Sequence, residues 1–242
     1  MSHVRGSNGV VYGIINTGGR VWQEQRRFAL QKLKDFGFGR RGLDRVIQEE
    51  AKEAVEYLLS DDLNCVKEYK EEEGGGRTLL VDSAFNIFVI NVLWQIVASK
   101  RFDPASEASR KMMQALNDKF RKGAEMRPFP ELNPYLPLTR QDLHMLGMKR
   151  MMREHIEEHL QDYSQDSEPR DFVDVYIREI KSSGNPNFNI EQLESICVDF
   201  FQAGSGEDKA EMVQCVSDNN ACFDTLRYIV KFPISSALKL IN

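Results

Sequence analysis

The chain has 242 residues, with 32 Lys and Arg against 37 Asp and Glu and a formal net charge of −5. At 41% hydrophobic and 29% charged residues, it is too apolar for a disordered chain and too charged for a polytopic membrane protein. The mild acidity argues against a nucleic-acid partner, which needs a clustered basic surface. The length suits one large domain or two small ones. Cys65, Cys197, Cys215 and Cys222 are widely scattered, so neither zinc-finger nor redox spacing appears and a reduced interior is expected.

In chain order, the first residues are punctuated by Gly and Asn and carry no sustained apolar core, so they do not read as a signal peptide. Val10–Tyr12 and Ile14–Ile15 are strand-like, and Thr17-Gly18-Gly19 is a turn. A helix is predicted from Gly19 to Asp35, ended by Gly37 and Gly39. Leu43 to Leu59 is a second helix, with Val46, Ile47, Val55, Leu58 and Leu59 on its apolar side. Three glutamates followed by Gly74-Gly75-Gly76 form a solvated loop. The apolar run from Leu79 to Ala98 is broken by Asp82, Asn86, Asn91 and Gln95. A membrane span needs about 20 predominantly apolar residues, so this run reads as a buried helix from Asp82 to Lys100, capped by Asp82 or Ser83.

Ser106 to Glu125 is a further helix, stopped by Pro128, Pro130, Pro134 and Pro137. A long amphipathic helix follows from Arg140 to Tyr163, then a shorter one from Asp171 to Lys181. The turn Ser182-Ser183-Gly184-Asn185-Pro186 leads to a last helical stretch from Asn189 to Ala203. Helix after helix without βαβ alternation predicts a mainly α protein.

Four constellations could carry chemistry. Trp22 and Arg26 lie four apart on one helix face; one indole donor beside a guanidinium fork suits a carboxylate on a bulky apolar ligand. The same pattern also arises where a Trp packs on an Arg stem. His155-Ile156-Glu157-Glu158-His159 matches H-x-x-E-H, in which two His bind zinc and Glu158 activates water; the competing reading is a solvated helix face, and the sequence nominates no third ligand. Arg26, Arg27, Lys32, Lys34, Arg40, Arg41 and Arg45 form a basic stretch for an acidic partner. Ala203-Gly204 would leave a groove where something flat approaches the backbone, or mark close helix packing. Met145, Met148, Met151 and Met152 read as core filling.

These pieces, in this order, resemble a cytochrome P-450, a haem-thiolate monooxygenase. Gly18 to Phe28 with Leu33 to Gly39 resembles the family's C helix, and Asn91 to Ala98 with Lys100 to Asp103 its E helix. Asp171 to Ile180 resembles the H helix, and Phe188 to Ser205 the approach to the I helix. The likeness runs from about residue 8 to 205 and is nearest the microsomal branch, in particular its arthropod members. It implies a partial fold from helix C to early helix I, with a haem cofactor. Trp22 and Arg26 would hold a haem propionate, and Ala203 and Gly204 would form the oxygen and substrate groove. Arg27, Lys32 and Lys34 would face NADPH–cytochrome P-450 reductase. An apolar small molecule such as a steroid, terpenoid hormone or xenobiotic would be the substrate, and the parent enzyme would sit on the endoplasmic reticulum membrane.

Gly206 and Glu207 stand where the family has an acid and a Thr, and the Cys loop that ligates iron is absent from these 242 residues. The chain as written is therefore expected to be inactive and, without an anchor, soluble or cytoplasmic. Gly206-Glu207 encoded GGT-GAG would contain an intron-donor start, which reads residues 206 to 242 as an unrelated, retained-intron tail after a 1–205 domain. The alternatives are a non-catalytic binding protein for the reductase, or a helical zinc hydrolase on His155, Glu158 and His159. Apolar faces meant for absent helices are expected at the surface.

Overall fold

A computed structural model describes residues 6–7, 10–15, 17–37, 43–59, 66–71, 77–81, 86–109, 111–113, 139–204 and 211–215. Six helices dominate it: α1 (Gly19–Asp35), α2 (Leu43–Leu59), α3 (Asn86–Ala98), α4 (Arg140–Gln161), α5 (Phe172–Ser183) and α6 (Ile190–Gly204). The mainly α prediction holds, and α1 and α2 begin and end where periodicity and glycine breakers put them. Of the helix predicted from Ser106, residues 107–109 and 111–113 are helical; its remainder and the proline cluster lie outside the described residues.

Strands were underestimated. β1 (Gly6–Ser7) and β2 (Val10–Val11) form a short antiparallel pair, whereas Ile14 and Ile15 lie in a bend. β3 (Val66–Glu71) and β4 (Arg77–Val81) pair antiparallel; Glu71, expected in the solvated loop, ends β3, and the rest of that glutamate–glycine segment lies outside the described residues. β5 (Glu211–Cys215) pairs with the other edge of β4, Arg77 opposite Cys215 and Val81 opposite Glu211. The described part of the buried helix runs from Asn86 to Ala98, and β4 takes Leu79–Val81, the first residues of the apolar run; Asp82 and Ser83, the expected cap, lie outside the described residues.

The core is organised around α3. Twelve of its thirteen residues are buried, and α2, α5 and α6 pack against it. Such an apolar helix has no solvated stripe and is stable only when surrounded. Two aromatic clusters flank it. Trp94, Phe102 and Phe201 meet edge-on or tilted, with Trp94 and Phe201 5.4 Å apart. Phe28 of α1 meets Phe172, Tyr176 and Phe188 at 5.0–6.4 Å. Met145, Met148 and Met152 are buried against the same core, as the sequence predicts.

The helix ends use conventional chemistry. Thr139 and Asp142 form a reciprocal capping box on α4, which satisfies two otherwise orphaned amides. The Asp171 carboxylate caps α5 through the Asp174 amide, 3.0 Å. Gly184 ends α5 in the left-handed region at φ 62°, where a Cβ is unfavourable although nothing crowds the position. Gly184→Ala is therefore expected to cost about 1 kcal/mol, read as a lowered urea midpoint with an unchanged slope. A midpoint equal to that of the parent chain would show that the αL cap carries no such cost.

Candidate functional site

Trp22 and Arg26 share a face of α1, as their spacing predicts: the guanidinium lies over the indole, 5.4 Å from the ring centroid. The indole donor is engaged, because Trp22 Nε1 donates to the Ile14 carbonyl at 3.0 Å. That carbonyl belongs to a strap at Gly13–Ile15 fastened from the other side by α6. Asp199 Oδ2 accepts from the Ile14 amide at 2.6 Å and the Ile15 amide at 3.0 Å. Gln192, two turns earlier on α6, pairs with Gly13 twice: its Oε1 accepts from the Gly13 amide at 3.2 Å and its Nε2 donates to the carbonyl at 3.3 Å.

Gly13 adopts φ +99°, and a Cβ there would overlap Asp199 Oδ2. Only glycine permits both the backbone conformation and the close carboxylate. Asp199 is 1% exposed, so a charge this deep requires the amides that face it. Asp199 and Ala203 are one turn apart on α6, and Ala203 is buried. One strap thus connects the face carrying Trp22 and Arg26 to the face carrying Ala203. Asp199, Gln192 and Gly13 were not singled out from sequence. The available signal was a carboxylate inside the apolar run Ile196-Cys197-Val198-Asp199-Phe200-Phe201.

α1 is docked by further buried polar contacts. Gln25 is fully buried, accepts from the Tyr176 hydroxyl at 2.5 Å and donates to the Asn187 carbonyl at 2.9 Å. The Glu24 carboxylate accepts from the side chains of Asn185 and Asn187, both at 2.8 Å. These bonds turn the opposite face of α1 outward, where Arg20, Arg27 and Lys34 are exposed at heptad spacing. Lys32 is partly covered, 3.7 Å from Asp35 and above the Phe28 ring.

The H-x-x-E-H segment does not assemble into a metal centre. His159 is buried; its Nδ1 faces the His155 carbonyl at 2.9 Å and its Nε2 faces Asp171 Oδ2 at 2.8 Å, which leaves neither nitrogen open to an ion. Glu158 is bonded to Lys100 at the surface. The His155 ring packs beside Trp94 and Phe102, and burial, reinforced by the Lys100 charge, lowers its pKa. The acidic groups within reach of His159 are Asp171 and Asp174. Asp174 is taken up by Arg170, whose backbone amide and Nε donate to Oδ2 and whose Nη2 donates to Oδ1.

A match to the family model for cytochrome P450 covers residues 4–206. The chain belongs to the cytochrome P450 family. It is 31% identical over 205 residues to cytochrome P450 2J3 of Rattus norvegicus, covering 80% of this chain and 38% of that protein. It is equally similar, 31% over 205 residues, to probable cytochrome P450 303a1 of Drosophila melanogaster, with 80% of this chain and 39% of the relative covered. Farnesoate epoxidase of Bombyx mori is 27% identical over 207 residues, covering 82% of this chain and 39% of the relative. The chain therefore spans somewhat over a third of the length of these relatives.

Membership implies a haem cofactor. Arg26 offers a cation on the Trp22 face, while the Trp22 donor is committed to Ile14. The cysteine side chain that is described does not meet the iron-ligand requirement, and Cys215 is the last residue of β5. Cys197 is fully enclosed in α6, where burial pushes its thiol well above the usual value, the opposite of an activated thiolate. Cys65, Cys222, Gly206 and Glu207 lie outside the described residues. No helix among the described residues is long and apolar enough to cross a membrane. Ile15, Val21, Leu143 and Leu146 are the large apolar side chains most exposed among the described residues.

Proposed function

We propose that this chain is the central part of a microsomal haem monooxygenase, supplying one propionate edge of the cofactor site and the groove wall at Ala203 and Gly204. The parent enzyme inserts one oxygen atom of O2 into an apolar organic molecule, with electrons from NADPH delivered through a reductase. The 242-residue polypeptide itself is read as not performing that reaction, because the sequence around Cys215 and Cys222 lacks the Phe and Gly framework of the family's haem-ligating loop; residues 206–242 are read as a tail unrelated to the family. The observation that carries this reading is the shared face of Trp22 and Arg26 within a chain whose family match runs from residue 4 to 206.

The haem, when bound, supplies the oxygen chemistry; this chain's part is to hold and orient. Arg26 takes the propionate contact, and Trp22 joins it only by giving up the Ile14 carbonyl. The exposed stripe of Arg20, Arg27 and Lys34 on α1 presents positive charge to an acidic reductase surface in a protein of net charge −5, with Lys32 contributing less because Asp35 answers it.

The test is a haem titration of the purified chain followed by a reduced, CO-bound spectrum. No thiolate-type Soret band is expected. Arg26→Ala is expected to weaken haem binding about ten-fold or more, the value of one charge-assisted hydrogen bond, and Trp22→Phe by less. A thiolate-type band would overturn the inactive reading, and an unchanged affinity in Arg26→Ala would overturn the propionate assignment.

A further inference from the structure

The corner between α4 and α5 is closed by a contact that the monooxygenase reading does not use. His159 is in the last turn of α4, and Asp171 is the N-cap of α5. Both are buried, His159 at 4% and Asp171 at 0% exposure. A backbone carbonyl is an acceptor only, so the His159 nitrogen facing the His155 carbonyl carries a proton. The other nitrogen faces a carboxylate whose second oxygen already accepts from the Asp174 amide. An ionised carboxylate is likewise an acceptor only. A ring with acceptors at both nitrogens is satisfied as an imidazolium.

We infer that His159 is a built-in charged clip, an imidazolium that locks the end of α4 to the N-cap of α5, and that removing its one proton opens this corner. The local charges favour it. The cation lies at a helix C-terminus and the anion at a helix N-terminus, each complementing its macrodipole. Asp174 adds negative charge from α5, although Arg170 is bonded to it. On α4, Glu158 faces outward to Lys100, which follows α3, and burial lowers the pKa of His155. Cys197 of α6, which feels Asp171, is held as the neutral thiol. Burial disfavours the His159 charge, but the Asp171 hydrogen bond and charge outweigh it, so its pKa is raised above the usual imidazole value.

The sign of the pH dependence follows. The stabilisation is complete below the unfolded pKa, about 6.5, and is lost as pH rises through the higher folded value. In hydrogen exchange on the full chain, corrected for intrinsic rates, protection of the Asp174 and Val175 amides is expected to fall by up to ten-fold per pH unit between about 6.5 and the folded value, the slope for one proton, and to level off above it. Asp171→Asn keeps an effective N-cap and can donate to a neutral imidazole, so its protection should be independent of pH. In 15N spectra at neutral pH, the signal missing from His159→Gln should be that of a doubly protonated ring. A neutral single tautomer in the parent chain, or protection with the same pH profile in the parent and Asp171→Asn, would overturn the inference.

Discussion

Asp199→Ala is expected to destabilise the protein by about 3 kcal/mol or more. The Ile14 and Ile15 amides both donate to this carboxylate, and a hydrogen bond to a charged group contributes about 1.5–3 kcal/mol. The Ile14 amide is buried, so losing its acceptor adds a desolvation penalty to the lost bond. Asp199→Asn retains one carbonyl acceptor and should recover about half of the loss. Gly13→Ala attacks the same contact from the strap side, through a left-handed φ of 99° and overlap with Asp199 Oδ2. Because the two changes share one interaction, the double variant should cost clearly less than the sum of the singles. Urea unfolding of the three single variants and Gly13→Ala/Asp199→Ala checks this. A strictly additive double variant, or an Asp199→Ala midpoint like the parent's, would show that the Asp199 carboxylate does not hold the strap.

Glu50→Ala should have the next largest effect, about 2–3 kcal/mol. Glu50 is a carboxylate of α2 at 1% exposure. It accepts from Asn91 Nδ2 at 3.3 Å and Gln95 Nε2 at 3.0 Å on α3, and from Arg101 Nε at 2.6 Å and Nη2 at 3.3 Å. Removing it leaves buried donors facing a cavity. The loss is smaller than for a fully enclosed ion pair, because the Arg101 side chain is 36% exposed and has Glu53 at 3.4 Å as a second partner. Asn91 also keeps its paired bonds with the Phe102 backbone, 2.9 and 2.8 Å. In a cycle with Arg101→Met, a coupling of about 1 kcal/mol is expected. A coupling near zero would show that the α3 amides, rather than the guanidinium, are the partners that matter.

Much of the helical fold was readable because it is written locally. Gly18 and Gly37 bracket α1, apolar spacing over Val46, Ile47 and Val55 marks α2, and Asp171 with Gly184 marks both ends of α5. The β3–β4 pair was not readable. Val66–Glu71 carries four charged residues among six, which looks solvated until β4 lies beside it, and the far edge of β4 is filled by a strand much later in the chain. The same distinction divides the candidate site. The shared face of Trp22 and Arg26 is a property of one helix turn. That Trp22 spends its donor on Ile14, and that Asp199 holds Ile14 from 185 residues away, depends on chain segments that meet only in the folded state. His159 illustrates the reverse error: a spacing that fits a metal site, with both nitrogens claimed by the protein.

The all-round burial of α3 also constrains how the chain can be divided and how it assembles. Ten of its thirteen residues are apolar and twelve are buried, and the neighbours that cover it come from α2 before it and from α5 and α6 after it. During synthesis α3 leaves the ribosome long before α5 and α6 exist, so it must wait, sheltered by collapse or by a chaperone, for its covering helices. Any expression boundary placed between α3 and α6 would strand a sticky apolar rod in solvent. The smallest piece worth expressing therefore runs at least from Leu43 through Gly204, and pieces that stop short of α6 are the ones to expect in inclusion bodies.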